Sequence, residues 1–201
     1  MDSMALFKIG YGLYVLTAKD GDKDNGCIIN TVLQVTSSPS VVGLISVNKQ
    51  NYTHDMIIKS REFNVSILHT GTPFEVFKTF GFQSGRSVDK FSGSQNLKRS
   101  ENSIIYLPEY SNAFLSFRVL DAIDFGSHTV FKAGIVNGEV LGSAESLTYA
   151  YYHQHIKPKP QNVQKKGYRC NICGYVYEGD TLPEDFVCPI CKHGAEDFVK
   201  I

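Results

Sequence analysis

The stretch that decides the architecture is GYRCNICGYVYEGD, Gly167 to Asp180, followed by LPEDFVCPIC, Leu182 to Cys191. It holds two C-x2-C pairs, Cys170 with Cys173 and Cys188 with Cys191, with 14 residues between them. Two such pairs in a chain without a recognisable secretion signal favour a metal over a disulfide framework. A tight knuckle turn aims two thiolates at one point, and two facing knuckles make a tetrahedral four-sulfur site. Spacing leaves zinc and iron both open, because each accepts four thiolates. From Gly167 to Ile201 there are 35 residues, too few to stabilise a core unaided, so the metal must supply much of the folding free energy.

Upstream lies KPKPQNVQKK, Lys157 to Lys166. Two prolines, four lysines and a single hydrophobic residue read as a semi-extended linker over 158–166. Residues 1–157 are a different material. Gly12 to Thr17, Cys27 to Thr36, Val41 to Asn48, Phe63 to Leu68, Ala113 to Asp124 and Thr129 to Leu141 are enriched in Val, Ile, Thr and aromatics, as strands are. Several are continuously apolar rather than alternating, which predicts strands covered on both faces. Thr53 to Ser60 predicts a short helix, and Thr72-Pro73-Phe74-Glu75 combines a capping box with proline in the first turn of a helix running to about Phe80. Many strands and few helices in this length predict a mainly β, closed or split barrel.

Composition narrows the function classes. Lys plus Arg number 20 against 20 Asp plus Glu, and the sequence pI is about 7.0. That balance disfavours nucleic acid or an anionic membrane surface as partner, and no basic stripe interleaved with aromatics is present. No apolar run is long enough for a membrane span. A cytoplasmic chain is expected. The neutrality is a cancellation: residues 1–157 hold 14 basic and 14 acidic residues, 158–166 add three lysines, and 167–201 hold 3 basic against 6 acidic. Neither G-x-G-x-x-G nor G-x4-G-K-[ST] occurs, so any nucleotide-like cofactor is held without those loops.

Both halves resemble known families. Residues 167–201 resemble rubredoxin, an electron carrier with one Fe(Cys)4 centre, through both knuckles, Gly174, Pro189 and the aromatics Tyr168, Tyr175, Phe186 and Phe198. The resemblance implies iron on Cys170, Cys173, Cys188 and Cys191. Gly174, lacking Cβ, can turn tightly and aim N–H groups at sulfur. The segment between knuckles is short, as in the trimmed version at the end of rubrerythrins, and Phe186 sits where Trp is usual.

Residues 5–156 resemble the flavin reductase-like, FMN-binding split barrels. The resemblance rests on YGLYVLT (Tyr11 to Thr17), NGCIINT (Asn25 to Thr31) with Gln34-Val35-Thr36 and Pro39, SVNKQNYT (Ser46 to Thr53), FNVS (Phe63 to Ser66), DKF (Asp89 to Phe91) and GSHT (Gly126 to Thr129). In the last, Ser127 replaces the usual acid. The resemblance implies a Greek-key split barrel that binds FMN and takes electrons from NAD(P)H. Ile29, Asn30 and Thr31 would edge the isoalloxazine. Ser46, Asn48, Lys49, Tyr52 and Thr53 would hold the cofactor and its phosphate near a helix start. Lys90 would face the ring's carbonyl edge or the phosphate. His128 would orient nicotinamide or manage a proton as the catalytic residue.

Each of these has a plainer reading: a barrel strand, an ordinary N-cap, a surface lysine, a structural histidine. Tyr149, Tyr151 and Tyr152 would cover the cofactor or a subunit interface. Cys27 reads as a small buried hydrophobe without a catalytic role.

Together the halves resemble fusions of these two families in anaerobes. That implies a homodimer and an electron-acceptor protein such as a flavodiiron oxygen or nitric oxide reductase. Flavin accepts hydride and releases electrons singly, so a flavin domain tethered to an Fe(Cys)4 domain converts two-electron to one-electron transfer. Two alternatives stand beside this. One is a flavin reductase that releases reduced FMN, with the metal module as docking platform. The other is a non-enzymatic zinc-ribbon recruitment module.

Overall fold

The computed structural model describes residues 5, 8–94, 96–158, 166–190 and 193–201. The chain divides into two compact units, Met1–Lys157 and Pro158–Ile201.

The first unit is built on a seven-stranded sheet of β1 (Tyr14–Asp20), β2 (Lys23–Ile29), β3 (Val32–Gln34), β4 (Val42–Asn48), β5 (Glu62–Leu68), β8 (Ser111–Asp124) and β9 (His128–Val140). A short hairpin of β6 (Lys98–Arg99) and β7 (Ile105–Tyr106) forms a separate two-stranded sheet packed on the large one, with Tyr106 stacked on Phe114 at 3.9 Å. The order in the large sheet is β2-β1-β5-β8-β9-β4-β3, with every pairing antiparallel. Its two ends, β2 and β3, are consecutive in the chain, joined only by Asn30 and Thr31. Laid flat, six inter-strand spacings would separate them by about 29 Å, whereas three Cα steps reach only about 11 Å. The sheet must therefore curl until its edges meet, which is the split barrel expected from the strand count.

Alternation then assigns an inside and an outside. Along β4, Gly43, Ile45 and Val47 are buried, while Val42, Leu44, Ser46 and Asn48 are half-exposed. The barrel interior collects Leu16, Ile45, Val47, Phe63, Val65, Phe117 and Phe131, closed by Met56 and Ile57 of α1 (Tyr52–Ser60). A second cluster outside the sheet joins Leu13, Val15 and Leu68 to Val76, Phe77 and Phe80 of α2 (Phe74–Gly81) and to Leu147 and Tyr152. In β1, Val15 serves the second cluster while Leu16 and Ala18 serve the first, so its continuous burial has a direct cause. Past β9, a short helix α3 (Tyr149–Tyr151) runs into a π-helical turn, Tyr152–Ile156.

Phe63 and Phe117 stack inside the barrel with ring centroids 4.7 Å apart, and both are fully buried. Phe63→Ala is expected to cost about 3–5 kcal/mol through lost transfer energy and the cavity left behind. A urea transition of the barrel unit followed by circular dichroism checks this.

Three local expectations are corrected. The stretch Cys27 to Thr36 is two strands, broken at Asn30 and Thr31 where the sheet edges meet. β2 also begins four residues earlier, in the polar run from Lys23, because pairing with β1 across the Gly21 turn (φ +59°) overrides its poor strand propensity. Neither helix is capped as its sequence suggests. Asn51, not Thr53, precedes α1 and makes no side-chain cap bond. Pro73 takes the cap position of α2, and Thr72 instead donates to the carbonyls of His69 (2.7 Å) and Tyr110 (3.1 Å).

The second unit holds a three-stranded sheet ordered β11 (Val176–Tyr177), β10 (Tyr168–Cys170), β12 (Phe198–Lys200). Its buried core is Cys170, Cys188 and Phe198, with Tyr168, Tyr175, Tyr177, Phe186 and Ile190 packed around them. Phe186 meets Phe198 edge-on at 5.3 Å and Tyr177 at 4.8 Å, filling the place expected of a larger aromatic.

Candidate metal centre and flavin face

The metal centre is built by the ends of β10 and the segment after Phe186. The sulfurs of Cys170, Cys173 and Cys188 lie within 4.8 Å of one another, with Cys173 and Cys188 at 3.4 Å. A tetrahedral site with metal–sulfur bonds of about 2.3 Å has sulfur–sulfur edges near 3.8 Å, so the three thiols already stand at ligand spacing. Cys191 lies outside the described residues. The first knuckle is closed by Gly174 N–H donating to the Cys170 carbonyl (2.9 Å) and Cys170 N–H donating to Tyr175 (2.8 Å). Gly174 has φ +80°, the conformation its missing Cβ permits. Its own N–H closes the turn rather than addressing sulfur. At the second knuckle, Cys188 N–H donates to the His193 carbonyl at 2.8 Å. Cys170 and Cys188 are buried and Cys173 is half-exposed. This donor set fits one iron or zinc ion, held by soft ligands in a shell of aromatic side chains.

On the barrel, the pairing registers bring the predicted residues from three strands to one place. Asn48 of β4 is directly opposite His128 of β9, and Ser46 is opposite Val130. Val32 of β3 pairs with Ile45, so continuing that register by one residue sets Thr31 level with Ser46. Since Ile45 points inward, Thr31, Ser46, Asn48 and His128 share the outward face. Thr31 Oγ1 donates to Asn30 Oδ1 at 3.0 Å. Asn48 Oδ1 accepts from Gln50 N–H at 2.8 Å and shapes the turn into α1. Asn51 makes no side-chain cap bond; of the first-turn N–H groups, that of His54 donates to the Asn51 carbonyl (3.0 Å), and those of Tyr52 and Thr53 precede the first intrahelical acceptor.

Other predicted residues are placed differently. Ile29 turns its side chain into the core, leaving only backbone at the rim. Thr53 is fully buried and accepts a hydrogen bond from Asn25 Nδ2 at 2.9 Å, because the first turn of α1 lies over β2. Lys49 pairs with Asp124 at the tip of the β8–β9 hairpin, Nζ to Oδ2 2.5 Å, and this bridge holds the Asp124 carboxyl below its ordinary range. The Tyr52 ring lies under Lys23 Nζ (4.6 Å) and the Arg86 guanidinium (4.9 Å).

Lys90 is the sharpest departure. Its ammonium is buried and donates to the carbonyls of Gly26 (2.8 Å) and Phe80 (3.2 Å), instead of facing outward. Phe80 lies in the last turn of α2, whose carbonyls lack intrahelical donors, and a cation there also suits the helix dipole. Burial pushes the Lys90 pKa down, against a partial offset from Cys27. Cys27 itself is a buried core residue whose thiol burial pushes up, opposed by Thr53 and Lys90, so it is a poor nucleophile as expected.

The pairing of Asn25 with Thr53 and of Asp124 with Lys49 is not readable from sequence, since the partners lie 28 and 75 residues apart. A mixed-charge cleft of roughly 690 Å³ opens elsewhere, lined by Lys23, Asp24, Arg86, Phe91, Arg99 and Ile105 among others. None of the predicted site residues lines it. The outward face of Thr31, Ser46, Asn48 and His128, with Asn30 Oδ1 bonded to Thr31, beside a helix start without a side-chain cap, fits a hydrogen-bonding, phosphorylated flavin.

Fold, sheet face and thiol cluster together define a flavin-binding split barrel joined to a rubredoxin-type metal module. The chain belongs to the flavin reductase-like family: that domain model matches residues 6–159, and a rubrerythrin-type, rubredoxin-like domain matches residues 168–199. Along its whole length it is 38% identical to the high molecular weight rubredoxin of Moorella thermoacetica, an alignment covering 100% of both chains. It is also 38% identical to a ferric-chelate reductase (NAD(P)H) of Archaeoglobus fulgidus, over 79% of this chain and 93% of that one. Among solved structures, an NADH:FAD oxidoreductase of Streptomyces globisporus matches with TM-score 0.64 and 22% identity, over 72% of this chain and 84% of that one. An FMN-binding protein of Thermus thermophilus matches with TM-score 0.59 and 21% identity, over 66% and 73%. These structural likenesses establish the barrel fold.

Proposed function

We propose that the chain is an NAD(P)H-dependent flavin/rubredoxin oxidoreductase. In this reading electrons pass from NAD(P)H through FMN to a mononuclear Fe(Cys)4 centre, and on to an acceptor protein such as a flavodiiron oxygen or nitric oxide reductase. The observation that carries it is the convergence, in one chain, of three thiols at tetrahedral spacing with an outward polar row drawn from three barrel strands. The relatives support the same chemistry: one is named a rubredoxin and another an NAD(P)H reductase. Barrel-like segments also match 26% of the length of a putative diflavin flavoprotein of Nostoc and of a diflavin flavoprotein of Synechocystis.

Bound FMN supplies the conversion between a hydride and single electrons. The chain's residues then have separable tasks. Asn30, Thr31, Ser46 and Asn48 supply donors and acceptors to the flavin. The first-turn N–H groups of α1 receive its phosphate. His128 addresses the reacting edge. Cys170, Cys173, Cys188 and Cys191 hold the iron. Lys90 and Thr53 support the site from beneath, by fixing β2 against α2 and α1. Two copies associate through the outward sheet face, where Leu33, Leu120, Ile123 and Phe125 are all at least half-exposed. No helix among the described residues is long and apolar enough to cross a membrane.

Anaerobic stopped-flow absorbance with NADH tests the order of events. Flavin absorbance should bleach first and the ferric–thiolate colour second. Iron reduction that proceeds equally fast in FMN-free protein would defeat the reading. A colourless protein after purification would favour the zinc-ribbon alternative.

A further inference from the structure

The hairpin tip between β8 and β9 is held by a dense set of bonds that leave one group unassigned. Phe125 N–H donates to the His128 carbonyl (2.9 Å), and Ser127 N–H donates to the Phe125 carbonyl (3.0 Å). Lys49 N–H donates to the Ser127 carbonyl (3.0 Å), and Gly126 N–H donates to Asp124 Oδ1 (2.7 Å). Gly126 has φ +77°, which makes the tight turn accessible. Both backbone groups of Ser127 are therefore occupied and its position is fixed. Its hydroxyl lies 2.9 Å from His128 Nδ1, and this is its one bond among the described residues. His128 Nε2 has no protein partner among them, and the ring sits on the outward face opposite Asn48.

The direction of this bond depends on the tautomer of His128. A serine hydroxyl can donate or accept, whereas an ionised carboxylate only accepts. Among the described residues the exposed Ser127 hydroxyl has Nδ1 as its one protein acceptor. Donating it to Nδ1 places the imidazole proton on Nε2; a carboxylate at 127 would demand the opposite tautomer. We propose that Ser127 is the positioning residue for His128, fixing the Nε2–H tautomer. The ring is thereby a hydrogen-bond donor to a carbonyl oxygen on the outward face, not the acceptor of a proton. This rests on the placement of His128 in the flavin face and chooses between its two expected roles. The carbonyl belongs either to the nicotinamide carboxamide or to the flavin ring.

The test uses the full chain with FMN, 15N-labelled at histidine, as the parent and as Ser127→Thr, Ser127→Ala and Ser127→Asp. Nitrogen chemical shifts above the imidazole titration should report Nε2–H in the parent and the threonine variant, and Nδ1–H in the aspartate variant. The aspartate variant should also weaken one constant by roughly five- to ten-fold, the value of one lost hydrogen bond. A rise in the NADH KM identifies the nicotinamide carbonyl, and a rise in the FMN Kd identifies the flavin carbonyl; threonine should restore either. A parent with Nδ1–H, or an aspartate variant with both constants unchanged, overturns the proposal. If His128→Ala also leaves both constants unchanged, the placement of His128 in the site is what fails, and the tautomer assignment is judged by the spectra alone.

Discussion

Cys188→Ser should abolish the ferric–thiolate colour and unfold the C-terminal unit while leaving the barrel folded. Cys188 and Cys170 are ligands in the proposed centre and, with Phe198, form that unit's buried hydrophobic core among the described residues. A structural metal of this kind contributes about 10–16 kcal/mol of apparent binding free energy, far more than so small an apolar core can replace. Losing one thiolate therefore removes both a ligand and the reason for the fold. Visible absorbance should lose its iron bands but keep those of flavin. Trypsin should cut within residues 167–201, at Arg169, Lys192 or Lys200, while the barrel unit persists. NADH oxidation by the barrel should continue, and electron delivery to a protein acceptor should cease. Cys27→Ser is the matched control: it lies in the barrel core and should leave the iron colour untouched. Retained iron colour in the Cys188 variant would refute the ligand assignment.

The two halves were legible to different degrees, for physical reasons. The metal module was readable because its chemistry is local: each knuckle is four residues, and Gly174 must follow the first to make the turn. The barrel strands were readable from β-branched and aromatic enrichment, and the curl of the sheet follows from their order. What sequence could not show was where side chains of mixed character point. Lys90 looked like a cofactor ligand because its neighbours resemble a family motif, yet the unpaired carbonyls of Phe80 and Gly26 capture it. Thr53 stands where the sequence starts the helix, but the cap position falls two residues earlier, on Asn51, and Thr53 is turned onto Asn25. Both outcomes depend on contacts between residues at least ten apart in the chain. Asn48 and His128 lie 80 positions apart in sequence, and only the β4–β9 register makes them neighbours. Ser127 was visible, but only as a missing acid; its hydroxyl's place beside Nδ1 needed the geometry of the turn.

Reversing charge on the metal module should slow electron delivery without touching flavin reduction. Residues 167–201 carry 6 acidic against 3 basic side chains, and ferric iron with four thiolates adds about one further negative charge. Glu184 and Asp185 are exposed and stand three to four residues before Cys188, with Val187 between, 52% exposed. An acidic pair beside an exposed apolar side chain, next to a ligand, is suited to a transient complex. Charge steers the approach, and the apolar contact seats it near the metal. The acceptor's docking surface should accordingly be basic. Glu184→Lys combined with Asp185→Lys reverses the local charge by four and should slow second-order delivery by about 10- to 100-fold at low ionic strength. The difference should shrink as salt is raised, because a Debye length of about 8 Å at physiological ionic strength screens the steering. Neither residue lies in the barrel, so the NADH-driven bleaching of flavin should keep its parental rate. Stopped-flow reduction of the isolated acceptor, at several salt concentrations, separates the two steps. Equal delivery rates for parent and double variant at low salt would sink the docking surface and leave the electron path itself intact.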